Sequence, residues 1–191
     1  MLNRANFTMR KAENVAFLSL GTNLGNRPEH MKRMLCLVRD LLRSPLKHSP
    51  LMETSAVDVE SEIPTFLNCV VSGIFDGAPY ELLNACLDIE RRCGRVRGPG
   101  IISRRADVDI LLFGNRMVHE RDLKIPHPAI PRRKFCIEGV AAIAPGFIHP
   151  EEKVPFSTMV RDMSESVRTQ SMRVVKESDY PHLESCLSEF E

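Results

Sequence analysis

Tryptophan is absent from this chain, and aromatic residues make up only 6% of its 191 positions. A ferredoxin-like RNA-binding module needs exposed rings on a basic sheet face. The sparse aromatics disfavour that reading, as does the balance of 26 Lys and Arg against 25 Asp and Glu. With so small a net charge, phosphate affinity must come from local clustering. No apolar run approaches the ~20 residues of a membrane span. Val15 to Leu20, behind Arg4, Arg10 and Lys11, is too short for a signal-peptide core and ends in Gly-Thr-Asn. A cytoplasmic protein without membrane or nucleic-acid partners is therefore expected. None of the six cysteines forms a CxxC pair and most lie in apolar periodic segments, so reduced, buried thiols are expected. The six histidines show no HxxxH or His-Cys grouping, which argues against zinc. "GTNLGNR" lacks the GxxxxGK(S/T) spacing of a P-loop, and no GxGxxG follows a strand, which argues against a Walker-type nucleotidase.

What is present suffices for one globular domain with a real core, at 43% hydrophobic content. Val15 to Leu20 reads as a strand, and Gly21, Gly25, Asn26 and Pro28 as a turn into a helix whose core stripe is Met31, Met34, Leu35, Val38, Leu41 and Leu42. Strands are expected at about 47 to 55 and 66 to 75. A second helix follows Asp76, Gly77 and Pro79 and stops at Gly94. Then come a strand within "RRADVDILLFGN", a short strand near Met117 and Val118, and a third helix from about Pro131 to Ala144. This order predicts an α/β (α+β) fold, a ferredoxin-like sandwich with added strands and helices and a sheet covered on one face. The expected divisions are an N-terminal extension at 1–13, a domain at 14–163 and a C-terminal appendage at 164–191, whose polar, weakly periodic sequence suggests no definite order.

The chemistry concentrates around residues 90 to 110. Strand alternation puts Asp107, Asp109, Leu111 and Phe113 on one face and Ala106, Val108, Ile110 and Leu112 on the other. Two carboxylates about 7 Å apart along a strand repel unless a cation or donor network compensates. Immediately upstream stand Arg91, Arg92, Arg95, Arg97, Arg104 and Arg105 without an acid among them. Arginine favours bidentate contact with phosphate oxygens. Carboxylates able to hold divalent ions beside guanidinium groups are what phosphoryl transfer requires. Magnesium suits two carboxylates plus substrate oxygens, whereas calcium's long all-oxygen loop is missing. The alternative is that the acids simply pair with Arg104 or Arg105. His127, in the stiff segment "IPHP", is a further candidate.

Several spaced motifs then make the chain recognisable. "FLSLGTNLGNR", "ETSAV" with "TFLNCVV", "IERRCGRVR", "SRRADVDILLFGN", "IPHPAIPRRKF" and "IAPGF" occur in that order over about residues 14 to 160. Together they resemble the 6-hydroxymethyl-7,8-dihydropterin pyrophosphokinase family. The resemblance implies transfer of a pyrophosphoryl group from ATP to the hydroxymethyl group of a dihydropterin, with AMP as second product, in folate synthesis. It implies magnesium, as two ions bound with ATP, on Asp107 and Asp109. Arg95, Arg97, Arg104, His127 and Arg133 match residues that contact the ATP phosphates or the loops closing over them, with Glu90 and Ile110 near the nucleotide. Phe66 and Phe135 match an aromatic pair that sandwiches the pterin, with Asn68, Thr54 and the Val57 backbone as its polar partners. Stacking suits a flat heteroaromatic ring, and an amide offers the donor and acceptor that a pterin edge requires. Plain core packing of each Phe, and pairing of Glu90 with an arginine, are the structural alternatives. The chain departs from the family pattern at "GPGIISRRADVD", where Ile101 and Ile102 stand in a shortened segment without its usual Trp. A catalytically weak ATP- and pterin-binding relative is the alternative function, and a mobile lid from Arg97 to Ser103 is expected.

Overall fold

In the computed structural model, residues 14–55, 64–96, 103–176 and 179–190 are described. The expectations for Arg97, Val57, Ile101 and Ile102, for most of the lid, and for the extension at 1–13 fall outside those residues. Three apolar strands form the centre of the fold: β1 (Val15–Thr22), β4 (Phe66–Ile74) and β5 (Asp107–Phe113). β1 runs antiparallel to both of the others. The six-stranded sheet follows the order β5-β1-β4-β3-β8, where β3 is Met52–Thr54 and β8 is Met172–Val174, and β2 (Arg43–His48) also pairs with β4. β6 (Val118–His119) and β7 (Lys124–Ile125) form a separate hairpin ladder.

The single strand expected at 47 to 55 is two strands, because Pro50 cannot donate and Ser49 interrupts the ladder. The Ser49 hydroxyl accepts from the Val70 amide at 2.9 Å while its own amide donates to the Val70 carbonyl at 2.8 Å. Gly21, expected in a turn, lies within β1.

Helices cover both faces, not one. α1 (Arg27–Leu41) and α2 (Pro79–Arg92) bury Met31, Met34, Leu35, Val38, Leu82, Cys86 and Ile89 against Leu18, Leu20, Leu67 and Val108. On the opposite face, α3 (Lys134–Ile143) packs Phe135, Cys136, Val140 and Ile143 with Phe17, Val70, Leu111 and Leu112. β4 is buried without a break from Leu67 to Ile74, with Asn68 and Ser72 the polar residues among them, as a strand covered on both sides requires. α3 lies flush on β4: a Cβ on Gly139 would stand 2.4 Å from Val70 Cγ2. The third helix starts at Lys134 instead of Pro131, since Ile130–Arg132 is a 3-10 turn and Arg133 is extended at φ −123° and ψ 112°.

β5 carries a second correction. Phe17 pairs with Leu112 and Leu18 with Ile110, so Leu111 is the extra residue of a bulge. Beyond it the faces exchange: Leu112 joins Leu111 beneath α3, and Phe113 turns to the α1 and α2 side. The two aspartates lie before the bulge and keep their shared face.

Residues after 164 add α5 (Glu165–Arg168), β8 on the sheet edge and α6 (Pro181–Leu187) against α1, following α4 (Phe156–Arg161). All six cysteines are free. Among the described residues no helix is long and apolar enough to cross a membrane.

Candidate active site

Sheet register assembles the site. Gly21 lies directly opposite Asn68 on β4 and Asp107 on β5, and Ser19 opposite Asp109. Residues paired across strands share a face, so Asn68, Asp107 and Asp109 occupy the face that α3 covers, Asn68 and Asp107 about 10 Å apart across two strand spacings. Gly21 makes room between them: a Cβ there would meet Asn68 Oδ1 at 2.8 Å and Phe66 Cδ1 at 3.9 Å.

On the β4 side the groups are preordered. Buried Asn68 donates through Nδ2 to the Thr54 hydroxyl at 2.8 Å, across the β3–β4 pair. The donation leaves the Thr54 hydroxyl proton free to turn toward another acceptor. Phe66 is half-buried on the same strand face. Phe135, 8% exposed, is the second residue of α3, the helix that covers this face.

On the β5 side the groups are charged. Just past α2 stands Gly94, whose φ of +79° suits a residue without a side chain, and the chain doubles back so that the Arg95 amide donates to the Glu90 carbonyl at 3.0 Å. The Arg95 guanidinium then reaches both Glu90 and Asp107. Glu90, 3% exposed, also accepts from the Val108 amide at 3.0 Å and so caps the outer edge of β5. Arg104 donates to the other Asp107 oxygen at 2.5 Å. Asp107 is therefore compensated by two guanidinium groups. Among the described residues no hydrogen bond or salt bridge reaches the Asp109 carboxyl. Burial, and secondarily the Asp107 charge, raise its carboxyl above the usual carboxylate range, against the pull of His127, Arg133 and Arg104.

His127 faces this pair from the segment after β7. Its amide donates to the Leu111 carbonyl at 2.9 Å, and Nδ1 accepts from the Ala129 amide at 3.2 Å, which leaves Nε2 as the ring's donor. Burial holds its pKa below the ordinary value although Asp109 pulls the other way. A cavity of about 520 Å³ opens at the outer edge of β5, lined by Glu90, Arg95, Arg104, Asp107, Asp109, Ile110 and His127. Its apolar wall is Leu83, Leu87 and Leu123, and Arg121 and Lys124 stand at its rim.

The structure thus brings Glu90, Arg95, Arg104, Asp107, Asp109, Ile110 and His127 to one cavity, and Thr54, Phe66 and Asn68 to the adjoining sheet face, with Phe135 on the helix that covers that face. Half-buried Arg133 is the residue before α3 and lies near enough to Asp109 to affect its ionisation. Of the arginine cluster, Arg91 and Arg92 pair with Asp88 on the exposed side of α2 and Arg105 is exposed. The sequence reading missed Asn23, which is 2% exposed. Its Oδ1 accepts from the Arg104 amide at 2.6 Å, its amide donates to the Arg104 carbonyl at 3.0 Å, and its Nδ2 donates to the Pro64 carbonyl at 3.3 Å. It fastens the chain before β4 and before β5 to the end of β1; its only sequence signal was a polar residue right after a strand.

A family model described as 7,8-dihydro-6-hydroxymethylpterin-pyrophosphokinase (HPPK) matches residues 17–145. The folate synthesis bifunctional protein of Chlamydia caviae is 37% identical over 134 residues, covering 67% of this chain and 30% of that protein. The folate synthesis bifunctional protein of Arabidopsis thaliana is 38% identical over 121 residues, 63% of this chain and 25% of that protein. The chain therefore spans under a third of these bifunctional relatives. The Bacillus subtilis 2-amino-4-hydroxy-6-hydroxymethyldihydropteridine pyrophosphokinase is 33% identical over 131 residues, 68% of this chain and 78% of that one. In fold, the chain is similar to a solved HPPK-DHPS in complex with substrates, at TM-score 0.62 and 16% identity over 81% of this chain and 44% of that one. Matching strands, helices and motif order, with a family model over residues 17–145, make the chain a member of the 7,8-dihydro-6-hydroxymethylpterin-pyrophosphokinase family.

Proposed function

We propose that this protein transfers the pyrophosphoryl group of ATP to the hydroxymethyl oxygen of 6-hydroxymethyl-7,8-dihydropterin, giving AMP and the pterin diphosphate, as a step in folate biosynthesis. The observation that carries the reading is the juxtaposition across Gly21 of a carboxylate and guanidinium cluster on β5 with an amide and hydroxyl pair beside Phe66 on β4 and β3. One side suits a polyphosphate and the other a flat, hydrogen-bonding ring.

In this reading the pterin lies between Phe66 and Phe135 with its polar edge on Asn68 and Thr54, so that its hydroxymethyl group faces β5. The triphosphate enters the cavity at the β5 edge. The hydroxymethyl oxygen bonds to the β-phosphorus and gives up its proton to solvent, the bond from that phosphorus to the α,β-bridging oxygen breaks, and AMP leaves with the electron pair. Arg95 and Arg104 exchange Asp107 for phosphate oxygens, one ion pair for another, and His127 offers its Nε2 proton to the same oxygens. Arg133 adds positive charge from the start of α3.

Asp107 and Asp109 fit magnesium by donor chemistry. Both are hard oxygen ligands on one strand face, and Asp109 is a poorly solvated carboxylate that a cation would relieve. When bound there, magnesium neutralises and orients the phosphates. Release of Asp107 from its two arginines makes both carboxylates available together. A cytoplasmic setting belongs to this reading and is supported by the six free thiols.

Mass-spectrometric product analysis with 6-hydroxymethyl-7,8-dihydropterin, ATP and magnesium tests the proposal. AMP together with pterin diphosphate is expected. ADP with a pterin monophosphate would overturn pyrophosphoryl transfer, and binding of both substrates without turnover would identify a catalytically weak relative.

A further inference from the structure

The stretch from Val167 to Val174 lies beyond the 17–145 match to the family model, yet it touches both sides of the ring pocket. Val167 is buried and Met172 half-buried in the apolar cluster beneath α3. Ser171 accepts from the Ser55 amide at 3.4 Å, and Met172 pairs with Thr54 where β8 joins β3. Between these anchors the Gln170 side chain grips the start of α3 from both directions. Nε2 donates to the Arg132 carbonyl at 2.7 Å and Oε1 accepts from the Lys134 amide at 3.0 Å. The Lys134 ammonium donates to the Arg168 carbonyl at 3.1 Å, a second tie at the same corner.

The gripped peptide groups flank Arg133, whose extended backbone separates the 3-10 turn from the helix, and Phe135 is one residue beyond. We infer that Gln170 is a positioning residue: its amide holds the corner bearing Arg133 and Phe135 at the distance from β3 that both substrates require. The inference rests on the proposed pyrophosphokinase reading for its ligands, but the grip itself is made entirely within the chain.

Chemistry separates positioning from simple helix capping. A cap needs only an acceptor for the Lys134 amide, and a carboxylate does that well at a positive helix end. The grip also needs a donor for the Arg132 carbonyl, which an ionised carboxylate lacks and would repel. Gln170→Glu therefore preserves a cap and breaks the grip, whereas Gln170→Ala removes both.

The test uses the full chain at neutral pH, with calorimetric titration of 6-hydroxymethyl-7,8-dihydropterin and of a non-hydrolysable ATP analogue with magnesium. Thermal unfolding and ligand-free amide hydrogen exchange over residues 133–137 accompany it. Both variants are expected to weaken pterin binding about 3- to 10-fold, the value of roughly one hydrogen bond. They are expected to weaken the nucleotide analogue in the same sense and to speed exchange at the corner, while Gln170→Glu melts within a few degrees of the parent. Wild-type affinity and exchange in Gln170→Glu would overturn positioning and leave a cap. If the parent itself bound neither substrate, the pyrophosphokinase reading would fail; exchange would still decide the grip, unchanged rates in Gln170→Glu overturning it.

Discussion

The two halves of the site meet at Gly21 and solve opposite problems. On the β4 side, polar groups pair through a 2.8 Å hydrogen bond from Asn68 to Thr54, beside a phenylalanine on the strand and beneath a helix whose first turn holds another. On the β5 side, Asp107 is compensated by Arg95 and Arg104, Glu90 by Arg95 and the Val108 amide, while Asp109 stands apart as a carboxyl resistant to ionisation. In the proposed function the ring side is preorganised, and binding there draws on burial, stacking and the hydrogen bonds of Asn68 and Thr54. In the same reading the phosphate side carries internal counterions, and its binding energy is the difference between two sets of ion pairs. That contrast explains how half-buried Arg95 and Arg104 are compensated within the chain and why substitutions on the two sides should give different signatures.

The largest expected effect is on the charged side. Asp107→Asn and Asp109→Asn should each lower turnover by at least about 100-fold, as for loss of a single charge contact in a transition state. Steady-state rates at saturating magnesium check this, and near-parental turnover would remove that residue from the metal site. Next comes the fit of the helix above the ring side. Gly139→Ala places a methyl group 2.4 Å from Val70 Cγ2 and should cost about 1–3 kcal/mol of stability in denaturant titration as α3 lifts from β4. Gly21→Ala, at the seam, pushes Asn68 Oδ1 from its place and should weaken pterin binding by about 1 kcal/mol, the value of one hydrogen bond, by calorimetry.

The smallest effect concerns the C-terminal segment. Glu53, between Arg27 of α1 and Arg173 of β8, is held below the ordinary carboxyl range, by the Arg173 hydrogen bond first and by Arg27, with burial opposing. A carboxyl whose folded pKa is depressed stabilises the fold above its unfolded value near 4.5, and that stability is lost as pH falls through the lower folded value. Tyr180 also donates to Glu53, at 3.3 Å. Acid should therefore loosen β8 and the segment before α6, and Glu53→Gln should flatten this dependence in melts recorded from pH 5 downward.

Sequence periodicity served well where a residue's neighbours are local. The stripe from Met31 to Val38 and the common face of Asp107 and Asp109 follow from helical or strand period alone, and the stop at Gly94 from glycine's freedom at positive φ. It failed where distant chain decides. The face exchange at Leu111 is invisible in an apolar run, because alternation carries no mark when both faces are buried. Coverage of the sheet on both sides could have been suspected from β4, where Leu67, Cys69 and Val71 on one face and Val70 and Ile74 on the other leave neither face wholly polar. The roles of Asn23 and Gln170 depend on carbonyls and amides more than 30 residues away, and single polar side chains in loops give no pattern to read. Polar, weakly periodic sequence after residue 164 concealed a strand whose order comes from pairing with β3.

The division of labour across Gly21 is tested most directly by a crossed titration. Phe135→Ala and Asp109→Asn would each be titrated with 6-hydroxymethyl-7,8-dihydropterin and, separately, with a non-hydrolysable ATP analogue in magnesium. The account predicts that Phe135→Ala loses about 1–3 kcal/mol toward the pterin and almost nothing toward the nucleotide, since stacking acts on the ring. Asp109→Asn should show the reverse. Equal losses for both ligands in either variant would contradict the account and point to one undivided site.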